Sequence, residues 1–510
     1  MVKIRKSPGV YVEEVSNLAP SVASVATAIP AFVGCTEKGP QNDPVAITSY
    51  LEYKATFGEG PDYGYENGNL TKKEYVMANA IRMYFDNGGG KCYIVSIGDY
   101  TQNPSVENYT DGLDKVRGVD EVTLLACPDA GMLLEQSDLG DVHVAMLKQA
   151  GETMDRFAIL DAVGTDADLT SFKEKLSGAS DYISYGAAYY PNLKHSYQTE
   201  FSENTVAEYL LSGKASLKDI LKLTPDEIKT IQTTETEFDE LEAEKKATFN
   251  AIFTKLNITK ESDKTVKNLR SKVASITNED IAVLSCYSNL KSDDSAKVKM
   301  AKNDDIYKSA IAKLRNLASE ITPSGAIVGA IVRTDTQVGV WKAPANTGLA
   351  SVADVTKVVT TSEQDDLNID ADTGYSINCI RKFFGKGFLI WGARTLDGLD
   401  NEWRYIPVRR LFNYIEESVQ KSTMWAVFEP NDTNTWVKVK CQISNFLTTL
   451  WRQGALVGAT PDDAYFVNVG VPTTMTTDDV LNGRLIVEVG IAASRPAEFI
   501  TLVFSHKMEQ

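Results

Sequence analysis

Histidine is almost missing from this sequence: His143, His195 and His506 are its only three. They stand far apart, without the companion spacing that a metal cluster or a base–nucleophile pair needs. Cysteine is nearly as sparse. Cys35, Cys92, Cys127, Cys286, Cys379 and Cys441 are scattered singly, and no Cys-x-x-Cys pair occurs. Neither a zinc site nor a disulfide framework is therefore expected, and all six read as small buried hydrophobes. Long apolar runs are absent too. Ile327–Val332 is among the longest, far short of the roughly 20 residues that cross a bilayer. "MVKIRKSPGVYVEEV" carries early basic residues but no apolar segment behind them, so it does not read as a secretory signal. Lys and Arg never gather into a block, and the formal net charge is -17. That argues against sequence-independent nucleic-acid binding and against attraction to anionic membranes.

What is there looks like an ordinary globular chain, with 43% hydrophobic and 24% charged residues among 510. Its length suggests two to four domains at roughly 150 residues each. The expected location is the cytosol, with release only as part of an assembly freed by lysis. "SPGVYVEEV" has the two-residue period of a strand, Val10 and Val12 on one side and Tyr11 on the other. From about Asn79, helices alternate with apolar strands: "ANAIRMYFDNGG", "KCYIVSIG", "EVTLLACPDA", "DVHVAMLKQAGETMD", "RFAILDAV", "LTSFKEKLSG", "YISYGAAYYPN". This alternation predicts a mostly parallel sheet covered by helices. From Gln198 to Ile321 the chain turns Lys-, Glu- and Ala-rich and predicts a helical insertion. Strands are expected to resume at "PSGAIVGAIVRTD". A polar, turn-rich stretch then leads into a last α/β module. There "YIPVRRLFNYIEESVQKSTMWAVFE" reads as a helix running into a strand, "WVKVKCQISNFLTTLWRQGA" as a long helix, and "GRLIVEVGIA" and "EFITLVFSHKM" as closing strands.

The candidate chemical motifs fail one by one. "DNGGGKCY" is not a phosphate loop: Cys92 replaces the magnesium-holding hydroxyl, Phe85 stands at the first glycine, and a helix precedes the turn. "DDLNIDAD" places Asn368 and Asp370 at calcium-loop spacing from Asp366, but Ala371 and Ile377 stand where glycine and glutamate are needed. None of the three histidines comes with a nucleophile-turn motif. "TDTQVGVWKAPAN" holds Asp335, Trp341 and Lys342 between glycine and proline, and could be an active-site loop or a structural joint.

Taken together, "SPGVYVEEV", "PSGAIVGAIVRTDTQVGVWKAPAN", "INCIRKFFGKGFLIWGARTL", "WRYIPVRRLFNYIEESVQKSTMWAVFEPND", "LWRQGALVGATPDDAYFV" and "GRLIVEVGIAASRPAEFITLVF" resemble the contractile tail sheath proteins of phages and related injection systems. The resemblance covers nearly everything but the helical insertion. It implies a mixed α/β subunit with a subtilisin-like outer domain at 21–363, carrying the insertion at 198–321, and an inner sheath domain at 364–498. Arms at 1–20 and 499–510 would exchange with neighbouring copies through Val10, Tyr11, Val12, Phe499, Ile500, Leu502 and Phe504. The subtilisin-like name refers to the fold, and no triad is present to make it a protease. Such subunits stack as six-membered rings around an inner tube, between a baseplate and a distal cap, and contract to drive the tube through a target envelope. A helix of the inner domain faces the tube in this family, which places Arg409, Arg410 and Lys421 as candidates against an acidic tube surface. No cofactor, nucleic acid or membrane insertion is implied. The rival readings are an α/β enzyme using Lys342 or a cleft near Asp129, and a static, non-contractile shell protein.

Overall fold

The computed structural model describes residues 21–218 and 220–499. Its strands are, in chain order, β1 (Pro30–Gly34), β2 (Val45–Ile47), β3 (Gly64–Glu66), β4 (Asn69–Thr71), β5 (Cys92–Ser96), β6 (Leu124–Ala126), β7 (Phe157–Asp161) and β8 (Gly186–Tyr190). They continue with β9 (Leu193–His195), β10 (Glu320–Ile321), β11 (Thr347–Gly348), β12 (Val352–Val355), β13 (Ile377–Phe383), β14 (Gly387–Trp391), β15 (Tyr465–Val469) and β16 (Val487–Ile491). The helices that matter below are α1 (Met77–Asp86), α2 (Gln136–Thr153), α3 (Asp166–Leu176), α4 (Ser324–Gln337), α5 (Ile406–Thr423) and α6 (Thr433–Arg452).

Nine strands form one sheet in the order β11-β14-β13-β8-β7-β6-β1-β5-β2. From β13 to β5 neighbouring strands run parallel, while β14, β11 and β2 are antiparallel additions at the two edges. β1, β7 and β8 are buried along their whole length, the continuous apolar signature of strands covered on both faces. Alternate residues of β1 serve opposite layers. Ala31 and Val33 meet the cluster that includes Leu139 and Val142 of α2 and Phe172 of α3; Phe32 meets the one that includes Ile81 of α1 and Ile327 of α4.

"PSGAIVGAIVRTD", expected as strand, is helix α4. An apolar run bounded by glycines suits either a buried strand or a buried helix, so periodicity alone cannot separate them. Packing settles the matter. A Cβ on Gly325 would lie 2.4 Å from the Ala80 carbonyl, and one on Gly329 would lie 2.4 Å from that of Tyr84. The two glycines let the backbones of α1 and α4 touch.

Residues 198–321 contain helices running from Glu203 to Leu317 around their own core, which includes Phe249, Phe253, Leu269 and Leu284. The C-terminal lobe is built from α5, α6 and the two-stranded β15–β16 sheet over a core of Leu411, Ile415, Val439, Ile443 and Leu447. A division at 363/364 does not follow the sheet. β13 pairs with β8, so the chain leaves the large sheet only after Trp391. The strand expected at "MWAVFE" is also absent. α5 passes into a single 3-10 turn at Met424–Ala426, and Val427 and Phe428 are exposed. Five cysteines are buried, but Cys441 is exposed on α6, against the expectation that all six are core residues.

Candidate functional site

In open parallel sheets, ligands bind where strand order reverses, beyond the C-terminal strand ends. Here that point lies between β1 and β6, and the chain fills it with its own side chain. Asp129, wholly buried just after β6, accepts hydrogen bonds from the backbone N–H groups of Cys35 (2.8 Å), Val76 (2.7 Å) and Met77 (2.7 Å). Burial raises its carboxyl to about 7 against those three bonds. At the end of β7, Asp161 accepts from the Ser324 N–H at 2.8 Å, where α4 begins, and burial raises it to about 7 as well. Both carboxylates thus tie helix starts to strand ends.

The histidines sit elsewhere. His143, within α2, meets Phe172 edge-on at 5.4 Å, and burial lowers its pKa to about 3. The ring of His195 bonds the Ala318 carbonyl oxygen at 3.1 Å and lies 3.2 Å from the Tyr197 N–H. Among the described residues, no cluster of three or more His, Cys, Asp or Glu side chains could hold a metal ion, and no helix is long and apolar enough to cross a membrane.

The segment with Lys342 is a joint. Asp335, in the last turn of α4, receives two N–H bonds from Arg410 of α5, at 3.0 and 2.6 Å, and both side chains are 3% exposed. After α4 the chain turns at Gly339 (φ 131°), where any side chain would strike the Trp341 ring. Val340 and Trp341 then pack into the C-terminal lobe. Lys342 is exposed and forms none of the ion pairs among the described residues.

Arg410 also donates to the Thr27 carbonyl at 2.9 Å, and so holds the incoming N-terminal segment. That segment runs along α5: the Ala23 and Val25 N–H groups donate to the Ser422 and Ser418 hydroxyls at 3.0 and 3.2 Å. The other end has a matching clamp. Arg394, 3% exposed, donates to Glu498 through Nε (2.9 Å) and Nη2 (2.6 Å), and the Tyr405 hydroxyl adds a bond of 3.2 Å. Against the upward pull of burial, the guanidinium holds the Glu498 carboxyl below its usual range. The next residue, Phe499, is 76% exposed. Val10, Tyr11, Val12, Ile500, Leu502 and Phe504 lie outside the described residues.

The expected tube-facing side chains need correction. Arg409 and Arg410 are each 4% exposed. The Arg409 guanidinium lies 3.9 Å from the Trp403 ring and bonds Asn413 at 2.8 Å, so both charges are spent inside the chain. Lys421 is partly exposed and bound to Asp120 and Glu417, each at 2.7 Å. Among the buried ion pairs, the sequence did not reveal Arg394–Glu498 or Asp335–Arg410. The only available signal was an arginine within an otherwise apolar stretch.

Residues 399–506 match the family described as the phage tail sheath C-terminal domain. The tail sheath protein of Vibrio phage KVP40 is 24% identical over 202 residues, 39% of this chain and 29% of that protein. The helical sheath of the anti-feeding prophage in its contracted state superposes with a TM-score of 0.61 at 28% identity, over 99% of this chain and 100% of that one. Along its whole length the chain is similar to contractile sheath proteins. A second sheath relative, from Enterobacteria phage T4, is 25% identical over 181 residues, 35% of this chain and 26% of that protein. Each match thus spans less than a third of the curated sheath protein. The contracted sheath complex of an extracellular contractile injection system, PVC, superposes at a TM-score of 0.55 and 26% identity, covering 99% of both chains.

Proposed function

We propose that this chain is the structural subunit of a contractile sheath, stacked as six-membered rings around an inner tube between a baseplate and a distal cap. Contraction from a metastable extended state would push the tube through a target envelope. The observation that carries this reading is the end-to-end correspondence with a contracted injection-system sheath. Two packings of one subunit, differing by a few kcal/mol and repeated down a cylinder, are enough to store the energy.

The terminal clamps support the arm-exchange part of the reading. Arg410 and Arg394 fix the chain just inside the two segments expected to reach neighbours. Among the described residues β15 and β16 form a two-stranded sheet, an arrangement marginal by itself and open to added strands. Strands centred on Val10–Val12 and Phe499–Phe504 of other copies would complete it.

For the tube contact the better surface is α6. This helix contains no Asp or Glu in a chain of net charge -17, and its Lys438, Lys440 and Arg452 are all exposed. Lys421 lies one helix away. A cationic face on exposed side chains suits a bond that must break on firing.

Electron microscopy of the purified protein tests the reading, with a Δ500–510 truncation as the control for arm exchange. The expected outcome is cylinders of two lengths and widths for the full chain and none for the truncation. Cylinders of one fixed length would instead mark a static shell, and a monodisperse small species that turns over a substrate would mark the enzyme reading.

A further inference from the structure

Two exposed surface features of the described residues complement each other. The first is the tip of the β13–β14 hairpin. β13 pairs with β8 only from Ile377 to Cys379, so the rest of the strand overhangs the C-terminal edge of the sheet. The four residues from Ile380 to Phe383 carry it roughly 13 Å further at strand rise. At the tip stands Phe384, fully exposed, between exposed Lys382 and Lys386, and Ile377–Trp391 contains no carboxylate. Left-handed glycines at 385 and 387 (φ 74° and 78°) make the tight turn that presents it. The Phe384 ring is fully exposed and so buries no apolar area in its own subunit.

The second is an open cleft of about 940 Å³ between the β3–β4 hairpin and the first helix of the insertion, Glu203–Leu210. Tyr63 and Tyr65 line it, and Asp62, Glu66 and Glu208 add carboxylates that make no ion pair among the described residues. Its shape is held by the Thr205 hydroxyl donating to the Tyr63 carbonyl (2.7 Å) and by the Tyr65 hydroxyl donating to the Gly68 carbonyl (2.8 Å). Lys72 and Lys218 also line the cleft, so carboxylates exceed cations there by one. The volume falls in the usual range for ligand pockets, wide enough for an aromatic side chain and its turn.

We propose that the Phe384 finger of one copy seats in the tyrosine-lined acidic cleft of the next. The occupant is a second copy of this chain because the charges match: a tip bearing only cations meets a cleft with surplus carboxylates. Phe384 supplies an aromatic anchor against Tyr63 and Tyr65, and the lysines select the acidic rim. Among the described residues Phe384 is fully exposed and the cleft is open, so the finger does not occupy the cleft of its own subunit. A contact between two different patches is head-to-tail, and it propagates into a closed ring or a helix. The inference rests on the reading that copies of this chain polymerise, and adds a joint separate from the terminal arms.

Charge exchange tests it in the full-length protein. Lys382→Glu with Lys386→Glu, or Glu66→Lys with Glu208→Lys, should each cut sedimentable polymer at least tenfold, whereas mixing the two variant chains should restore mixed polymer. All four positions are exposed or at a cleft rim, and thermal melts matching wild type verify the fold. In a Cys441→Ser background, chains bearing Phe384→Cys and Asn67→Cys should give an intermolecular disulfide on mild oxidation, even where no cylinder forms. The cross-link therefore separates failure of this joint from failure of the sheath reading. Normal polymer from either reversed variant, no recovery on mixing folded variants, or no cross-link at high concentration would overturn the proposal.

Discussion

Arg410 illustrates how a single residue changes meaning once its surroundings are known. In sequence, "VRRLFNYIEESVQKS" is an amphipathic helix with an arginine pair, and cations on such helices usually face solvent. In the fold, Arg410 bridges α4, α5 and the N-terminal segment, through Asp335 and the Thr27 carbonyl. Arg410→Ala would leave Asp335 buried and unpaired, which costs about 3–5 kcal/mol. Chemical denaturation is expected to show a loss of that size. Arg410→Met combined with Asp335→Leu should recover most of it, because an apolar pair needs no desolvated charge. An Arg410→Ala protein as stable as wild type would mean the joint carries no energy. The joint role of "TDTQVGVWKAPAN" was half legible: glycine, proline and the lack of catalytic partners argued against chemistry, but the partner of Asp335 lies in another element.

Among the elements, α6 was the most legible and α4 the least. α6 has apolar residues at helical spacing and an N-cap Asp432 whose side chain accepts from the Thr435 N–H at 3.1 Å. Its exposed cations stand free of acidic neighbours on the same helix. If the proposed tube contact runs through α6, Lys438→Glu with Lys440→Glu should weaken co-sedimentation of the subunit with a candidate inner-tube protein by tenfold or more, and should flatten the salt dependence of binding. The exposed positions predict unchanged melting. Unchanged tube binding at low salt would move the contact off this helix. α4 was misread because its apolar run has no periodicity to expose. Only the glycine contacts with α1 show that the segment must be a helix packed backbone to backbone. The helical insertion was recognisable because its Lys/Glu/Ala composition needs no distant partner to favour a helix.

At the scale of the whole molecule, pH acts through groups buried in several layers, with opposite signs. Burial lowers His143 to about 3 and His195 to about 4. The unfolded chain then binds more protons as pH falls from about 6.5 towards 4, and stability drops over that window. Asp129 and Asp161, raised by burial to about 7, work the other way. The folded chain holds their protons up to about pH 7, so their contribution is full below about pH 4 and fades as pH rises. The two effects offset each other, which predicts a shallow pH profile between 4 and 6.5. His143→Leu should break the balance. Relative to wild type, it should gain on the order of 2 kcal/mol at pH 4.5 over its effect at pH 7.5, read as a difference in unfolding midpoints. Equal effects at both pH values would show that His143 does not titrate on unfolding.

Local composition and periodicity were enough to show the parallel-sheet alternation and the helical insertion, and the ordered stretches of the sequence resembled one family. Those features depend on local composition and on periods of two and 3.6 residues, which a single chain displays directly. Tertiary structure alone decided where the charges of α5 go, that α4 is a helix, that β13 and β14 join the large sheet, and that Asp129 fills the strand-end crevice. Each of these depends on a partner tens to hundreds of residues away. Burial free energy and hydrogen-bond satisfaction are properties of the assembled contact, not of either segment alone.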